Sequence, residues 1–366
     1  MTKKKVLYVS SNGGIHDYRF LKKLSQDYDV IFLHYASASI IPEVQSIENL
    51  KIISKPPLLR PFPLLSEVNH FKRIVKEFKP DIIHTGYVWQ VGILAAVTDV
   101  HPHLAMPWGS DILIEPNRSF IKKKLVAKVM HQCDHIQCDA EYVKNKIIKD
   151  YSVNSDKITV FPWGIELSLF SKQNKASCRS KLKIDENKFV LIFNRRMELL
   201  YGAGNLISAY SLFSKGKDDV LLLVLSDGSM RNKILKFITE NNLENKVSLI
   251  GRVPNTELPL FLNSSDVYIS PSLSDGSSLS LLEAMACGLG VIVSDVPSIR
   301  EWINSENGIV TPINDINALA QAMELYYNSR ELIATHGKIN RQIASEKADW
   351  DINYKKLQAI YDRLLT

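Results

Sequence analysis

The sequence predicts an α/β protein made of two doubly wound domains, each a parallel sheet flanked by helices. Short apolar runs rich in β-branched residues recur along the chain, and segments with helical periodicity separate them, as in repeated strand–helix units. At 366 residues the chain is longer than a single core usually grows, so we expect two domains. An apolar content of 45% with 23% charged residues is typical of a globular protein and excludes a disordered chain.

The first half opens with a strand at residues 6–9, a turn at 10–14 that contains two glycines, and a helix at 18–26. Strand, glycine turn and helix together are typical of the start of a doubly wound sheet. A proline-rich stretch, residues 56–63, predicts a loop that lines a binding cleft or a mobile edge. A helical pattern is clearest at residues 68–78. The other strands predicted in this half lie at residues 30–33, 51–54, 82–84, 104–106, 135–137 and 158–160.

A polar connection without clear periodicity, residues 171–188, predicts the link to the second domain. An amphipathic pattern at 350–364 predicts a final helix, and a capped helix begins near Asp315. The predicted domains are 1–168 and 169–349, with 350–366 as the final helix. The strands predicted in the second domain lie at residues 189–193, 220–225, 247–250, 267–269, 291–293 and 308–310.

The most informative stretch, residues 270–295, predicts a strand end, a loop of small residues, a helix and another strand. The free backbone N–H groups at the start of this helix suit a phosphate, since little side-chain bulk covers them. Asp275 precedes the helix and Glu283 lies inside it, where a carboxylate can bind the hydroxyl pair of a ribose. The predicted nucleotide-sugar contacts of this stretch are Gly276, Ser277, Ser278, Leu279 and Glu283.

This stretch resembles the nucleotide-sugar signature of the family 4 glycosyltransferases, in which two acids separated by seven residues flank the loop. The family usually has Glu where this chain has Asp275, Gly-Phe-Gly in the loop, and Pro near residue 290. An ordinary strand–loop–helix crossover is the alternative interpretation. The resemblance covers nearly the whole chain. It implies the GT-B fold: two Rossmann-like domains with a cleft between them and a C-terminal helix that crosses back to the first domain.

The resemblance also implies which residues hold the nucleotide diphosphate. Arg196 matches the arginine of the family by spacing, and Tyr201 stands where the family has a lysine, so Arg195 becomes the candidate for the second positive charge. A surface ion pair is the alternative for these arginines. Arg252 and Val253 match the segment that holds the base, although Arg252 also fits a plain surface position.

In the first domain the resemblance points to a second group of site residues. Gly14 lets its turn approach the donor or acceptor, although a tight turn alone also requires glycine there. Trp108 replaces the histidine of a His-Gly-x-Asp motif; it can stack on a sugar but cannot take a proton. Asp111 is predicted as a catalytic contact, with a helix N-cap as the alternative. His84 and Trp163 are predicted to contact acceptor or sugar, with a core histidine as the alternative for His84.

Positive charge is concentrated in the first half, where residues 1–165 hold 22 Lys and Arg against 16 Asp and Glu, while the remainder holds 23 against 23. Part of this positive charge lies on a predicted amphipathic helix, residues 118–131, which begins with Arg118 and ends with His131. Its predicted apolar side includes Phe120 and Ile121. Many family members meet anionic membranes, so this helix is the candidate contact, with a solvated basic face as the alternative. Nucleic acid is disfavoured because no aromatic platforms interleave with the basic residues.

The resemblance therefore implies a retaining glycosyltransferase that moves a sugar from a nucleotide-diphosphate sugar, a UDP-sugar in particular, to a glycan or lipid-linked acceptor in cell-surface glycan synthesis. The predicted catalytic residues are Asp275, Asp111 and Arg196. We expect no cofactor and no metal, because arginine and backbone amides stabilise the leaving group. The four cysteines form no CxxC pair, which favours the reducing cytoplasm.

Two other functions remain open from the sequence. A UDP-sugar epimerase of the same fold would need a set of acids and histidines that the sequence does not provide. A binding or scaffold subunit with weakened catalysis is favoured by the replacements at Trp108, Tyr201 and Asp275. Nucleotide binding without sugar transfer would distinguish such a subunit from an enzyme.

Overall fold

The computed structural model describes residues 3–35, 40–55 and 65–366, so the proline-rich segment 56–63 lies outside the described residues. The chain divides into two compact units: Met1–Phe161 with Tyr354–Thr366, here the N-terminal unit, and Pro162–Asn353, here the C-terminal unit. The boundary lies earlier than the predicted 168/169. Residues 162–168 join the C-terminal unit because the Ile165 N–H donates to the Ala348 carbonyl at 2.8 Å and the Trp350 N–H donates to the Ile165 carbonyl at 3.0 Å.

The N-terminal unit contains one parallel sheet of seven described strands in the order β3-β2-β1-β4-β5-β6-β7. Leu7 and Val9 face one side of the sheet and pack against Phe71 and Ile74 of a covering helix. Both faces are buried, which explains the continuous apolar runs in the sequence. The strands are β1 (Lys5–Ser10), β2 (Asp29–Tyr35), β3 (Lys51–Lys55), β4 (Ile82–Gly86), β5 (His103–Met106), β6 (His135–Cys138) and β7 (Ile158–Val160).

The C-terminal unit contains a parallel sheet of six strands in the order β10-β9-β8-β11-β12-β13. In both units the order reverses beside the first strand, as in doubly wound folds, and every strand predicted from the sequence is present. The fold prediction is therefore confirmed. The strands are β8 (Phe189–Phe193), β9 (Val220–Val224), β10 (Val247–Leu249), β11 (Val267–Ser270), β12 (Gly290–Ser294) and β13 (Ile309–Thr311).

Helices cover both sheets. The described helices of the N-terminal unit are α1 (Ile15–Asp27), α2 (Pro42–Gln45), α3 (Leu65–Phe78), α4 (Ile93–Thr98), α5 (Ser110–Leu113), α6 (Phe120–Gln132) and α7 (Glu141–Tyr151). Those of the C-terminal unit are α8 (Lys175–Leu182), α9 (Ala203–Phe213), α10 (Arg231–Glu240), α11 (Leu258–Ser264), α12 (Leu279–Ala286), α13 (Ile316–Asn328) and α14 (Arg330–Lys347). The last helix, α15 (Trp350–Leu364), belongs to the N-terminal unit from Tyr354 onward.

Side-chain caps fix several helix starts. The Asp315 carboxylate accepts from the Ala318 N–H at 2.8 Å, which confirms the predicted start of α13. The Ser119 hydroxyl accepts from the Lys122 N–H at 3.2 Å at the start of α6. Among the described residues, no helix combines the length and apolarity needed to cross a membrane.

The prediction of an irregular connection at residues 171–188 is wrong, because α8 occupies its middle. Asn174 caps this helix by accepting from the Ser177 N–H at 2.9 Å. Only Cys178 and Arg179 of α8 are buried. A helix that buries so few residues leaves almost no hydrophobic periodicity, and that is why the sequence pattern missed it.

Gly202, which precedes α9, allows a close approach between two loops at the carboxyl edge of the C-terminal sheet. Its φ is +69°, and a Cβ there would lie 2.0 Å from the carbonyl oxygen of Pro271, directly after β11. Since that neighbour is backbone, a side chain at residue 202 would force apart the loops that follow β8 and β11.

We predict that Gly202→Ala lowers the free energy of unfolding more than Gly216→Ala, a matched control. Gly216 has a φ of +72°, and a Cβ there would have no neighbour within 4 Å, so its replacement adds only backbone strain of about 1–2 kcal/mol. Gly202→Ala adds steric overlap costing about 1–3 kcal/mol more. Urea denaturation monitored by circular dichroism measures both variants, and equal losses would contradict the close contact.

Candidate functional site

A buried arginine organises the carboxyl edge of the C-terminal sheet. Arg195 follows β8, and its guanidinium lies 2.7 Å from the Asp275 carboxylate. It also donates to the hydroxyls of Ser278 at 2.7 Å and Ser280 at 3.0 Å. These contacts place a positive charge directly at the N-terminus of α12, where the predicted phosphate-binding amides lie.

The Arg195 charge is stabilised by its neighbours. Burial by itself lowers the pKa of Arg195, but the Asp275 carboxylate, with smaller contributions from Tyr268 and Tyr201, raises that pKa above its ordinary value. The guanidinium also lies 4.2 Å from the centre of the Tyr201 ring, as in a cation–π contact. Tyr201 thus supports the neighbouring arginine at the position where the resembled family has a lysine.

The loop that carries Arg195 is tied to the loop after β9. The Ser226 hydroxyl donates to the Arg195 carbonyl oxygen. The Met197 N–H donates to the Asp227 carbonyl at 3.1 Å, and a Cβ at Gly228 would lie 2.4 Å from the Met197 carbonyl. The loops after β8, β9 and β11 therefore form one connected edge.

The remaining predicted diphosphate and base contacts lie nearer the surface. The Arg196 side chain is 64% exposed and lies 3.4 Å from the Glu198 carboxylate, so Arg196 does not share the buried position of Arg195. Arg252 is exposed and Val253 is half-buried in the loop after β10, at the same edge of the sheet. The structure therefore brings Arg195, and not Arg196, into contact with Asp275.

The predicted loop and helix start are closely packed. Gly276, Ser277 and Ser278 are buried and lead into Leu279, the first residue of α12. Glu283 lies one turn further along the same helix and is 6% exposed. Among the described residues, no group of three or more His, Cys, Asp or Glu is arranged to hold a metal ion.

In the N-terminal unit a buried carboxylate holds the turn that contains Gly14. The Asp17 carboxylate accepts from the Tyr8 hydroxyl at 2.9 Å and from the Gly13 N–H at 2.7 Å. Burial raises the pKa of Asp17 to about 6, against the lowering effect of its hydrogen bonds. Gly14 is half-buried and precedes α1, so its turn has a fixed shape.

Asp111 also holds a loop. Its carboxylate is fully buried and accepts from the Val88 N–H at 2.6 Å and from the Trp108 N–H at 2.9 Å. Tyr87, next to Val88, has a φ of +73°, which a non-glycine residue rarely adopts. Burial raises the pKa of Asp111 to about 7. With both oxygens bound to backbone amides, Asp111 positions the loops around Trp108, and its geometry does not support the predicted direct catalytic contact.

Trp108 is half-buried at the carboxyl edge of the N-terminal sheet. Its ring lies edge-on to His16, with 5.7 Å between ring centroids, and a Cβ at Gly86 would lie 3.1 Å from the indole nitrogen. No motif in the sequence marks His16 as a site residue. Its position just after the Gly13–Gly14 turn was the available signal, because that turn follows a central strand of a doubly wound sheet.

Two predicted acceptor contacts lie in the interior. His84 is fully buried, and its Nδ1 lies 2.7 Å from the Tyr361 hydroxyl of α15. Burial, with a smaller effect from His103, lowers the pKa of His84 to about 3, so the imidazole is neutral. The geometry therefore assigns His84 to the attachment of α15 and does not support an acceptor contact. Trp163 is 7% exposed in the C-terminal unit, followed by Gly164 packed on the Trp350 backbone.

The basic helix predicted at residues 118–131 corresponds to α6. Leu125, Val126 and Val129, on the apolar side of the helix, are buried, whereas Phe120 is 71% exposed and Ile121 is 55% exposed. Phe120 and Ile121 belong to the apolar side predicted for this helix, and the structure leaves them exposed on its first turn. An exposed aromatic and aliphatic pair therefore lies beside a row of basic residues: Arg118, Lys123, Lys124 and Lys128.

Comparison with known proteins assigns both halves of the chain to glycosyltransferases. The family profile "Glycosyl transferase 4-like" matches residues 5–140, and the profile "Glycosyl transferases group 1" matches residues 174–343. The alpha-monoglucosyldiacylglycerol synthase of Streptococcus pneumoniae is 27% identical over 251 residues, which are 64% of this chain and 56% of that protein. An uncharacterized glycosyltransferase of Methanocaldococcus jannaschii is 27% identical over 370 residues, or 98% of this chain and 97% of that protein.

Among solved structures, the Anabaena protein HepE in complex with UDP-glucose superposes with a TM-score of 0.84 at 17% identity, covering 98% of this chain and 100% of that one. At this identity the likeness shows the fold. The two profiles match in the order expected for that fold and together span most of both units. The chain therefore belongs to the family 4 glycosyltransferases of GT-B fold and is an enzyme of the transferase class.

Proposed function

We propose that this enzyme is a retaining glycosyltransferase that uses a UDP-sugar donor and a glycan or lipid-linked acceptor in the synthesis of cell-surface glycans. The observation that carries the proposal is the Arg195 guanidinium fixed at the N-terminus of α12 by Asp275 and Ser278. The compared proteins support it: one relative is named for a glucosylated diacylglycerol, and the solved HepE structure contains UDP-glucose.

The electrostatics of this site favour an anion of more than one charge. Asp275 neutralises Arg195 within the site, but the N-terminus of α12 adds about half a positive charge, and Arg196 is exposed beside it. A diphosphate accepts bidentate hydrogen bonds from a guanidinium and further bonds from backbone amides. We therefore assign the donor diphosphate to Arg195, Arg196 and the amides of residues 276–279.

The two carboxylates of the signature receive separate roles. Glu283, one turn into α12, is assigned to the ribose hydroxyls. When the diphosphate engages Arg195, the Asp275 carboxylate is released from that ion pair and becomes available to the sugar hydroxyls near the reacting carbon. Arginine and amide groups then stabilise the charge that develops on the leaving diphosphate, so no metal is required in this proposal.

The state of the candidate acids and bases supports retention of configuration. Both Asp111 oxygens bind backbone amides, and His84 is buried and neutral, so neither is placed as a general base. With neither of these two groups placed as a general base, we assign same-face attack by the acceptor, with the leaving diphosphate as proton acceptor. Trp108, which is half-buried, is assigned to stacking on a sugar ring.

We predict that UDP, in preference to GDP or ADP, raises the melting temperature of the protein, and that Arg195→Ala weakens UDP binding at least tenfold. At a hundredfold excess over Kd, UDP stabilises the wild type by about 2.7 kcal/mol. Loss of one charge-assisted hydrogen-bonding group costs about 1.5–3 kcal/mol, and about 1.4 kcal/mol is tenfold in Kd. Thermal shift identifies the nucleotide, and isothermal titration calorimetry gives each Kd.

Arg300→Ala is the matched control, since Arg300 is an exposed arginine of the same unit whose guanidinium contacts Asp295. The control should bind UDP like the wild type. The Arg195→Ala substitution leaves the Asp275 carboxylate without its ion-pair partner. Circular dichroism therefore checks that this variant is still folded. Equal UDP affinity in the two variants would exclude Arg195 from the diphosphate site.

We also predict retention of configuration and turnover without metal. An α-linked UDP-sugar should release the α-anomer first during slow donor hydrolysis, and the rate should persist in excess EDTA. Proton NMR of the anomeric signals within the first minutes measures the configuration before mutarotation. First appearance of the β-anomer would refute retention, and loss of the rate in EDTA with recovery on added magnesium would refute the metal-free mechanism.

The exposed face of α6 supports a membrane-bound acceptor. Phe120 and Ile121 can insert at the interface while Lys123, Lys124 and Lys128 meet anionic headgroups. Glu115 already neutralises part of the surface, because it pairs with Arg118 at 2.8 Å and Lys122 at 2.6 Å. We therefore propose peripheral contact of α6 with the anionic inner face of the plasma membrane.

The variant Lys123→Gln/Lys124→Gln/Lys128→Gln should reduce binding to vesicles that contain phosphatidylglycerol by at least about tenfold. Each lysine near an anionic surface contributes about 1 kcal/mol. Sedimentation with vesicles measures the bound fraction, and the control Lys215→Gln/Lys233→Gln/Lys236→Gln removes three exposed lysines of the C-terminal unit. If both triple variants bind vesicles equally, α6 is not the contact.

A further inference from the structure

The C-terminal unit has a cavity of about 500 Å³ at the edge of its sheet where the strands begin. Lys188, Asp266 and Leu289 line this cavity and directly precede β8, β11 and β12. Arg195 and Asp275 lie at the opposite edge, after the same strands end. Since these strands have four or five residues, the two edges are separated by about 13–17 Å. The cavity is therefore distinct from the proposed donor site.

The lining of this basic cavity is strongly cationic. Five basic side chains face two carboxylates, Glu186 and Asp266, which leaves a surplus of three positive charges. Because the chain after residue 165 is neutral as a whole, this surplus is local. The basic residues are Lys172, Lys175, Arg179, Lys188 and Arg330.

A buried ion-pair network forms the floor of the basic cavity. The Asp266 carboxylate lies 2.6 Å from the Lys175 ammonium and 2.8 Å from the Arg179 guanidinium, and it accepts from the Val190 N–H at 2.8 Å. Arg179 is 4% exposed and also donates to the carbonyls of Ser264 at 2.9 Å and Glu186 at 2.5 Å. Arg330 approaches the same carboxylate only at 3.9 Å, so Lys172, Lys188 and Arg330 are the cations held least tightly by the floor.

Arg330 is held in place for an incoming anion. Its guanidinium lies 4.0 Å from the centre of the Phe189 ring and 5.1 Å from that of Tyr327, and the side chain is 44% exposed. Stacking fixes the plane of a guanidinium and leaves its N–H edges available. Lys172 packs over Gly288 on another side of the cavity. A Cβ added at Gly288 would lie 3.6 Å from the Lys172 side chain.

We propose that the basic cavity binds a phosphate group, carried by a small phosphomonoester or by pyrophosphate, through Arg330, Lys188 and Lys172. A volume of about 500 Å³ lies within the usual range for small-molecule sites of about 300–1,000 Å³. A phosphate supplies about two negative charges and several acceptor oxygens, which match a preformed guanidinium and two ammonium groups. Asp266 contacts Lys175 at 2.6 Å and Arg179 at 2.8 Å but Arg330 only at 3.9 Å, so it competes weakly with a phosphate for Arg330.

The test is calorimetric titration of the full chain with pyrophosphate and with glycerol 3-phosphate. The variant Lys172→Gln/Lys188→Gln should weaken binding of at least one of these compounds tenfold or more. The control Lys215→Gln/Lys233→Gln, which removes two exposed lysines elsewhere in the unit, should bind like the wild type. Arg195→Ala should retain a binding event that Lys172→Gln/Lys188→Gln lacks, because the two edges of the sheet act independently.

A lipid headgroup is the other source of the same phosphate chemistry. Sedimentation with phosphatidylglycerol vesicles, carried out with α6 already substituted at Lys123, Lys124 and Lys128, tests it directly. Loss of the remaining vesicle binding on Lys172→Gln/Lys188→Gln, without affinity for the free compounds, would assign the cavity to a lipid phosphate. The proposal is overturned if Lys172→Gln/Lys188→Gln changes neither kind of binding, or if Arg195→Ala alone abolishes all pyrophosphate binding.

Discussion

Parallel strand pairing is the constraint on which both sites of the C-terminal unit depend. Since all its strands point the same way, the loops that follow β8, β9 and β11 meet at one edge, and the segments that precede β8, β11 and β12 meet at the other. Arg195 and Asp275 are far apart in the chain, and only this topology brings them to 2.7 Å. The same topology collects Asp266, Lys188 and Arg330 around the basic cavity.

Buried carboxylates hold these loops in one conformation through hydrogen bonds. Asp17, Asp111 and Asp266 each accept at least one backbone N–H from a segment other than their own helix or strand. An unpaired buried carboxylate is costly, so each of these groups strongly favours the one loop conformation that satisfies it. This explains why an aspartate that matches a catalytic motif, Asp111, positions the loops around Trp108.

The strands could be predicted because a strand buried on both faces leaves a continuous apolar run, which is a local signal. The hydrogen-bond partners of polar side chains could not be predicted, since they come from distant parts of the chain. His84 contacts the Tyr361 hydroxyl, and Asp111 accepts from the Val88 N–H. Helical periodicity likewise gives the direction of an apolar face but not the extent of the surface that covers it. Leu125 and Phe120 share the apolar side of α6, yet Leu125 is buried and Phe120, on the first turn, is exposed.

The departures of this chain from the family signature are best understood as one coupled change. Tyr201 removes the charge of a lysine, and Arg195 supplies a charge whose guanidinium packs 4.2 Å from the Tyr201 ring. Asp275 keeps the acid of the signature with a shorter side chain and still reaches that guanidinium. Independent losses would leave a buried charge without partners, which is strongly destabilising. Each replacement instead compensates another, so the structure retains a charged, organised edge at the N-terminus of α12.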